Sequence, residues 1–293
     1  MRGVTALCGM QRPRGDFPML ASRNLTMADA RTHACNIYCA TFAAYALSRF
    51  PQLPAVDVAL RKAGAFLLAE RNDDGSWSYE GRATSRVPPD LDDTACAVAA
   101  LLRLGEQPGL SFYRLLWENE AAPGGPYYTW VGVNGGTHLL ARQIDALVNA
   151  NLVLAAALAR QPLPGAVAYL LDVTTSDPNG ASDYCLTPHL LAYALARAYA
   201  DGPVPELAPG LRAVLAALEP CDNAFHLACR ANALLVLGEW EVARPDLEAL
   251  LDAQLPDGSW PIAAAYADYP PHHAGSPALT TAIALDALAR ALS

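Results

Sequence analysis

The chain has almost no lysine: of its 20 basic residues only Lys62 is one, and the arginines form no run that could track a phosphate backbone. With 29 acidic residues the formal net charge is −9, which makes nucleic acid a poor candidate partner. The preference for arginine over lysine reads as the mark of a GC-rich bacterial genome. The seven cysteines are an odd number and contain no CxxC pair, so neither a disulfide framework nor a zinc or redox centre is indicated. Cys35, Cys39, Cys96 and Cys229 fall in apolar runs, where free cysteine behaves as a small hydrophobe, and a reducing cytoplasm fits. A Gly-x-Ser-x-Gly elbow and a Gly-rich phosphate loop are absent. So is a DDxxD run with a downstream Asn/Ser/Glu set, which argues against magnesium-dependent ionisation of a diphosphate. The stretch to Leu20 is broken by Gly9, Pro13, Arg14, Gly15 and Asp16, so it reads as neither a secretory segment nor a spanning helix.

Apolar residues are plentiful. They make up 53% of the chain against 17% charged, with Ala and Leu dominating, the balance of a tightly packed helical protein. Apolar positions recur at helical spacing, and no segment sustains the period-2 alternation of a half-buried strand. Helices are expected over 34–49, 55–70, 93–105, 109–118, 144–160, 163–172, 188–200, 206–218, 223–238, 243–254 and 277–292, separated by Pro and Gly. Residues 1–30 read as an irregular arm and 31–293 as a single domain.

Internal repetition organises these helices. Asn72-Asp73-Asp74-Gly75-Ser76-Trp77 returns as Leu255-Pro256-Asp257-Gly258-Ser259-Trp260, each after a helix and each leading to another rich in small residues with a Thr-Ala step near its start. Small residues let helices approach closely, so the Ala-rich member of each pair is the inner one. About six such hairpins can close on themselves, giving an all-α fold of the α/α toroid type.

Asp-Gly-Ser-Trp after an outer helix resembles the QW repeat of squalene–hopene cyclases and other class II terpene cyclases, and Gln254 supplies the Gln of that repeat in the second copy. Pro89-Asp90-Leu91-Asp92-Asp93-Thr94-Ala95 is similar to the family's DxDD-Thr-Ala motif. The resemblance implies an isomerase of the intramolecular lyase type, which protonates a linear isoprenoid and cyclises it through carbocations. Asp92 would be the acid, with Asp90 and Asp93 holding and polarising it. It implies no cofactor, with Mg2+ relevant only if the substrate carries a diphosphate. Family cyclases usually close the active site with a second barrel, for which 293 residues leave no room, so a homodimer or the loops would have to close it.

Protonating an alkene needs a carboxyl that keeps its proton at the working pH, which burial and adjacent negative charge provide. Against this, the motif opens a helix, whose free N–H groups and positive dipole end favour ionisation by about 1 kcal/mol. An isolated DxDD is more simply a helix cap with first-turn acids; the Trp turn and the Thr-Ala context favour an acid site. Aromatic faces that could hold cations are Tyr127, Tyr128 and Trp130 in a Gly/Pro-rich loop, with Tyr184, Phe225 and Tyr266 elsewhere. Trp77 and Trp260 read as turn-packing residues. Asn149 and Asn151 face different sides of one helix, so one at most points inward, and Asn149 is taken as the substrate-facing one. His138 and His189 sit beside inner-helix starts as hydrogen-bond partners for Asp92, while His272-His273 lacks a third ligand for zinc. Two alternatives stay open: a non-catalytic toroid that binds an apolar ligand or a protein, and a prenyltransferase-like enzyme of the same fold.

Overall fold

The computed structural model describes residues 1–32, 35–82, 87–107, 109–132, 142–220, 223–267 and 272–292. In chain order the elements are α1 (Arg2–Met10), β1 (Leu20–Ser22), β2 (Arg31–Thr32), α2 (Ile37–Leu47), α3 (Pro54–Ala69), α4 (Leu91–Arg103), α5 (Leu110–Glu118), α6 (Ala146–Leu158) and α7 (Pro164–Ser176). They continue with α8 (His189–Ala200), a 3-10 turn at Pro205–Leu207, α9 (Ala208–Ala216), α10 (Ala224–Val236), α11 (Trp240–Asp252), β3 (Tyr266–Ala267), β4 (His273–Gly275) and α12 (Pro277–Ala291).

The even-numbered helices form a closed inner ring in which α2 packs on α4, α4 on α6, α6 on α8, α8 on α10, α10 on α12 and α12 back on α2. Their composition explains the choice. All of α2 is buried, as is α6 from Ala146 to Ala156, whereas outer α3 buries only one face, through Val56, Ala59, Ala63, Gly64, Phe66 and Leu67. Each outer helix returns the chain, so the inner helices run the same way and their starts gather at one end. Five of those starts are capped by a side chain, from Asn36, Asp90, Asp145, Asn223 and Ser276. The α/α toroid expected from the repeat is the observed fold. Among the described residues no helix is long and apolar enough to cross a membrane.

Two features differ from the sequence reading. Residues 1–30, expected to be irregular, contain α1, which lies against α12 and α3 as the outer partner of the last inner helix. Its Gly3 makes this possible: a Cβ there would sit 2.8 Å from Cζ3 of Trp260. Ala for Gly normally stabilises a helix by about 1 kcal/mol. Here the ring it meets is pinned by a hydrogen bond from Trp260 Nε1 to the Leu250 carbonyl (2.6 Å), so Gly3→Ala is expected to destabilise by about 1–3 kcal/mol in denaturant melts. The second difference is a small antiparallel sheet of order β2-β1-β4-β3 that ties the segment after α1 to the one before α12. Its strands are two or three residues long, too short to give a periodic signal.

The far end of the ring, where the inner helices finish, is closed by ions. Asp201 accepts from Arg49 Nη2 (2.8 Å), Arg290 Nη2 (2.5 Å) and the Tyr45 hydroxyl (2.9 Å). Asp286 accepts from Arg49 Nε and from the Tyr193 hydroxyl (3.0 Å).

Candidate active site

The two Asp-Gly-Ser-Trp turns are built alike. Asp74 Oδ1 accepts from the Ser76 N–H (2.9 Å) and hydroxyl (2.6 Å), as Asp257 Oδ1 does from those of Ser259 (2.9 and 2.7 Å). Gly75 and Gly258 hold φ of +92° and +91°, values that favour glycine. Each indole Nε1 donates to a carbonyl of the preceding outer helix, Trp77 to Leu67 (2.7 Å) and Trp260 to Leu250 (2.6 Å). The Trp N–H then meets a threonine hydroxyl of the next inner helix, Thr94 or Thr281, at 3.1 Å in both copies. In the first copy that helix opens with Asp90, Asp92 and Asp93. In the second it opens with Ser276 as cap and Pro277, Ala278 and Leu279 behind it. The turn and its latch thus form without carboxyls in the first turn of the following helix, and Asp92 and Asp93 call for another explanation.

Helix α4 begins at Leu91, two residues before the expected start, and Asp90 is its cap. Asp90 Oδ1 accepts the Asp93 N–H at 2.7 Å, and the Asp92 N–H also favours its charge. The positive end of the helix is therefore spent on Asp90. Backbone pairing holds the motif from both sides: Asp90 N donates to the Trp77 carbonyl (3.3 Å), Leu91 N to Thr129 (2.7 Å) and Val131 N to Pro89 (2.9 Å). Asp90 and Asp93 are almost wholly buried, while Asp92 keeps some accessible surface.

The three carboxyls divide the charge. Burial, then the charges of Asp90 and Asp92, hold Asp93 well above the ordinary range, and its retained O–H donates a hydrogen bond to the Asp90 carboxyl. Burial lifts Asp90 above the ordinary carboxylate range, opposed by the N–H of Asp93, the Asp93 carboxyl and the N–H of Asp92, so of this pair Asp90 is the one that ionises more readily. Asp92 is pushed up to about 7, first by burial and second by Asp90; its hydrogen bond from Asn151 pulls the other way, the charge of Asp145 adds to the rise and Arg197 opposes it. The arrangement can hold a proton on Asp92 near neutrality.

A stability consequence follows. The Asp92 carboxyl titrates higher in the fold than its ordinary value of 3.8, so its contribution to stability is full below about pH 4 and is lost as pH rises through about 7. Asp92→Asn removes that loss and keeps an amide oxygen for Asn151. The variant is expected to be more stable than the parent at pH 8 by roughly 2–4 kcal/mol, and about equal near pH 4, in paired thermal melts.

The structure redistributes the residues singled out from sequence. Asn149 does not face the acids: its side chain accepts the Tyr127 N–H (2.9 Å) and donates to the carbonyls of Tyr127 (3.1 Å) and Asp145 (2.9 Å). Asn151 does, with Nδ2 2.7 Å from Asp92 Oδ1. Tyr127 is buried with its hydroxyl toward Glu120 Oε1 (3.5 Å), Tyr128 is half-buried, and Phe225 is a core residue lying against His226. Trp130 and Tyr184 are joined through Gln143 Oε1 (2.9 and 2.8 Å) beside the motif, and the charges of Asp90, Asp145 and Asp92 help raise the Tyr184 phenol after burial. His189 is engaged with Thr187 (3.1 Å) and stacked on His226 at 4.1 Å, with burial pushing it down to about 3. His138 lies outside the described residues.

Sequence reasoning passed over Tyr38 and Arg197. The Tyr38 hydroxyl is buried without a hydrogen-bond partner among the described residues, its phenol raised by burial and then by Asp92. Its ring packs on Phe42 (4.6 Å) and Tyr266 (5.0 Å), and the Tyr266 and Tyr79 hydroxyls meet at 2.7 Å. The signal for Arg197 was present as a lone charge in the apolar run of α8.

Solved structures share this architecture. A protein from Actinoplanes superposes with a TM-score of 0.75 at 20% identity over 100% of this chain and 98% of that one. Type II terpene cyclase MstE from Scytonema gives 0.71 at 19% identity, covering 99% of this chain and 96% of that chain. The shared fold is the α/α toroid. The ent-copalyl diphosphate synthase from Streptomyces platensis gives 0.62 at 17% identity over 88% of this chain and 50% of its own. No family model matches the sequence, and no curated protein matches it either. At these identities the likeness establishes the toroid alone.

Proposed function

We propose that the protein is a class II terpene cyclase-like isomerase in which Asp92 starts the reaction by protonating a carbon–carbon double bond of a linear isoprenoid. The supporting observation is the contrast between the two repeats: like turns and latches, with carboxyls at the start of the following inner helix only where Asp92 stands. The Asp92 O–H bond breaks as a C–H bond forms, leaving a tertiary carbocation on the substrate and a carboxylate on Asp92. Internal double bonds attack the cation in turn, and loss of a proton from the last cation yields a cyclic isomer. Asp90 supplies the charge that keeps the proton on Asp92 beforehand, and Asn151 supplies a donor to the carboxylate as it forms. The faces of Tyr38, Tyr184, Trp130 and Tyr266 would each stabilise a passing cation by roughly 0.5–2 kcal/mol.

The substrate class is supported by the neighbours, since variants of MstE are solved with geranylgeranyl dihydroxybenzoate as substrate and merosterolic acid A as product. Incubation with geranyl, farnesyl and geranylgeranyl compounds, with and without diphosphate, and with geranylgeranyl dihydroxybenzoate, tests the reading. A cyclic product of unchanged mass is expected from at least one. Conversion of none, or release of diphosphate on turnover, would overturn it.

A further inference from the structure

Arg197 lies inside the ring on α8, 2% exposed, and the described residues place no carboxylate in direct contact with it. Its guanidinium is stacked against Phe42, Tyr193 and Tyr45 at 4.4, 4.9 and 5.2 Å, and its Nε is buried without a partner among the described residues. A lone buried cation is a poor way to fill space, because an apolar side chain of similar volume does so without losing hydration. Besides the Cys96 thiol, the cation meets Asn151, whose Oδ1 accepts from Nη2 at 2.7 Å, while the Nδ2 of the same amide donates to Asp92 Oδ1 at 2.7 Å. A guanidinium can only donate, so it forces the amide oxygen toward itself and the amide N–H toward the acid. Oδ1 of Asp92 is thereby kept as an acceptor, and the transferable proton is left on Oδ2.

We infer that Arg197 is a positioning residue which, through Asn151, places the proton on one oxygen of Asp92 and stabilises the carboxylate left behind when it departs. The inference rests on Asp92 being the acid. The groups that bear on Asp92 are Asp90, Asp93 and Cys96 on its own motif and helix, Tyr38 on α2, Asp145 and Asn151 at α6, Tyr184 and Cys185 on the following loop, and Arg197 on α8. Of the charged groups, Arg197 alone favours ionisation; the carboxylates oppose it. Removing it therefore has two opposite signatures. The acid becomes weaker, so turnover on the acidic plateau falls, yet it keeps its proton to higher pH, so the alkaline limb of the profile moves up. General damage that admits water lowers turnover and moves the limb down.

The test uses full-length protein labelled with 13C at the aspartate carboxyls, the Asp92 signal being assigned by its loss in Asp92→Asn. In Arg197→Met the Asp92 midpoint is expected to rise by about 1–2 pH units, kcat on the acidic plateau to fall about 10–100-fold, and KM to stay within about two-fold. Should Arg197→Met not fold, Asn151→Leu cuts the same link and leaves the aromatic cage intact, with the same sign expected. An unchanged or lowered midpoint in a folded variant overturns the inference. The two readings fail separately: turnover retained in Asp92→Asn removes the acid assignment, whereas an inactive Asp92→Asn with an Arg197→Met titration like the parent's removes only the role of Arg197.

Discussion

Asp92→Asn is expected to lower kcat for cyclisation by about 10⁴-fold or more while the protein stays folded. General acids contribute about 10²–10⁴-fold where water can partly substitute for them. Here water cannot, since an alkene is far too weak a base to take a proton from it. The neighbouring carboxyls cannot substitute either: Asp93 keeps its proton in a hydrogen bond to Asp90, and Asp90 is occupied with the helix N–H groups. The exchange keeps the Asn151 hydrogen bond through an amide oxygen, so the loss isolates the proton itself. Steady-state assays of product formation by mass spectrometry check it. Combined with the gain in stability expected for the same variant at pH 8, the result separates an active-site residue from a structural one, because a helix-capping carboxylate would lose stability on neutralisation.

Trp260→Ala is expected to destabilise the fold by about 3–5 kcal/mol in denaturant unfolding. The side chain is fully buried, its indole pins the end of α11 to the turn, and its ring is the surface on which α1 rests at Gly3. Because the helix that follows the second turn opens without an acid, the folded fraction of the variant should cyclise substrate at the parental rate. Trp77→Ala is expected to cost as much stability and to impair turnover as well, since Trp77 pairs with Asp90 and Thr94. A Trp260→Ala protein as stable as the parent would show that the turns do not hold the ring together.

The eleven helices read from sequence are present because local information sufficed: apolar spacing with Pro and Gly between segments marks where each begins and ends. What was illegible depends on partners far along the chain. The nine residues of α1 contain two glycines and become a helix by packing on Trp260, some 250 positions away, a contact no window contains. The carboxyl trio and its repeat context were visible, and the conflict between helix dipole and acid strength was visible too. Its resolution was not, because it lies in how Asp90 takes the N–H groups and leaves Asp92 free of them. The choice between Asn149 and Asn151 turned on helix phase: residues two apart point to opposite sides, and only the packing of α6 between α4 and α8 tells which side meets Asp92 and Arg197.

Cyclisation carried out in D2O tests the central claim most directly. If Asp92 draws its proton from solvent between turnovers and delivers it to the terminal alkene, each product molecule carries one deuterium on the carbon skeleton at that former alkene terminus, and Asp92→Asn makes none. A cyclic product free of solvent deuterium, or one formed equally well by the Asp92→Asn protein, would contradict it.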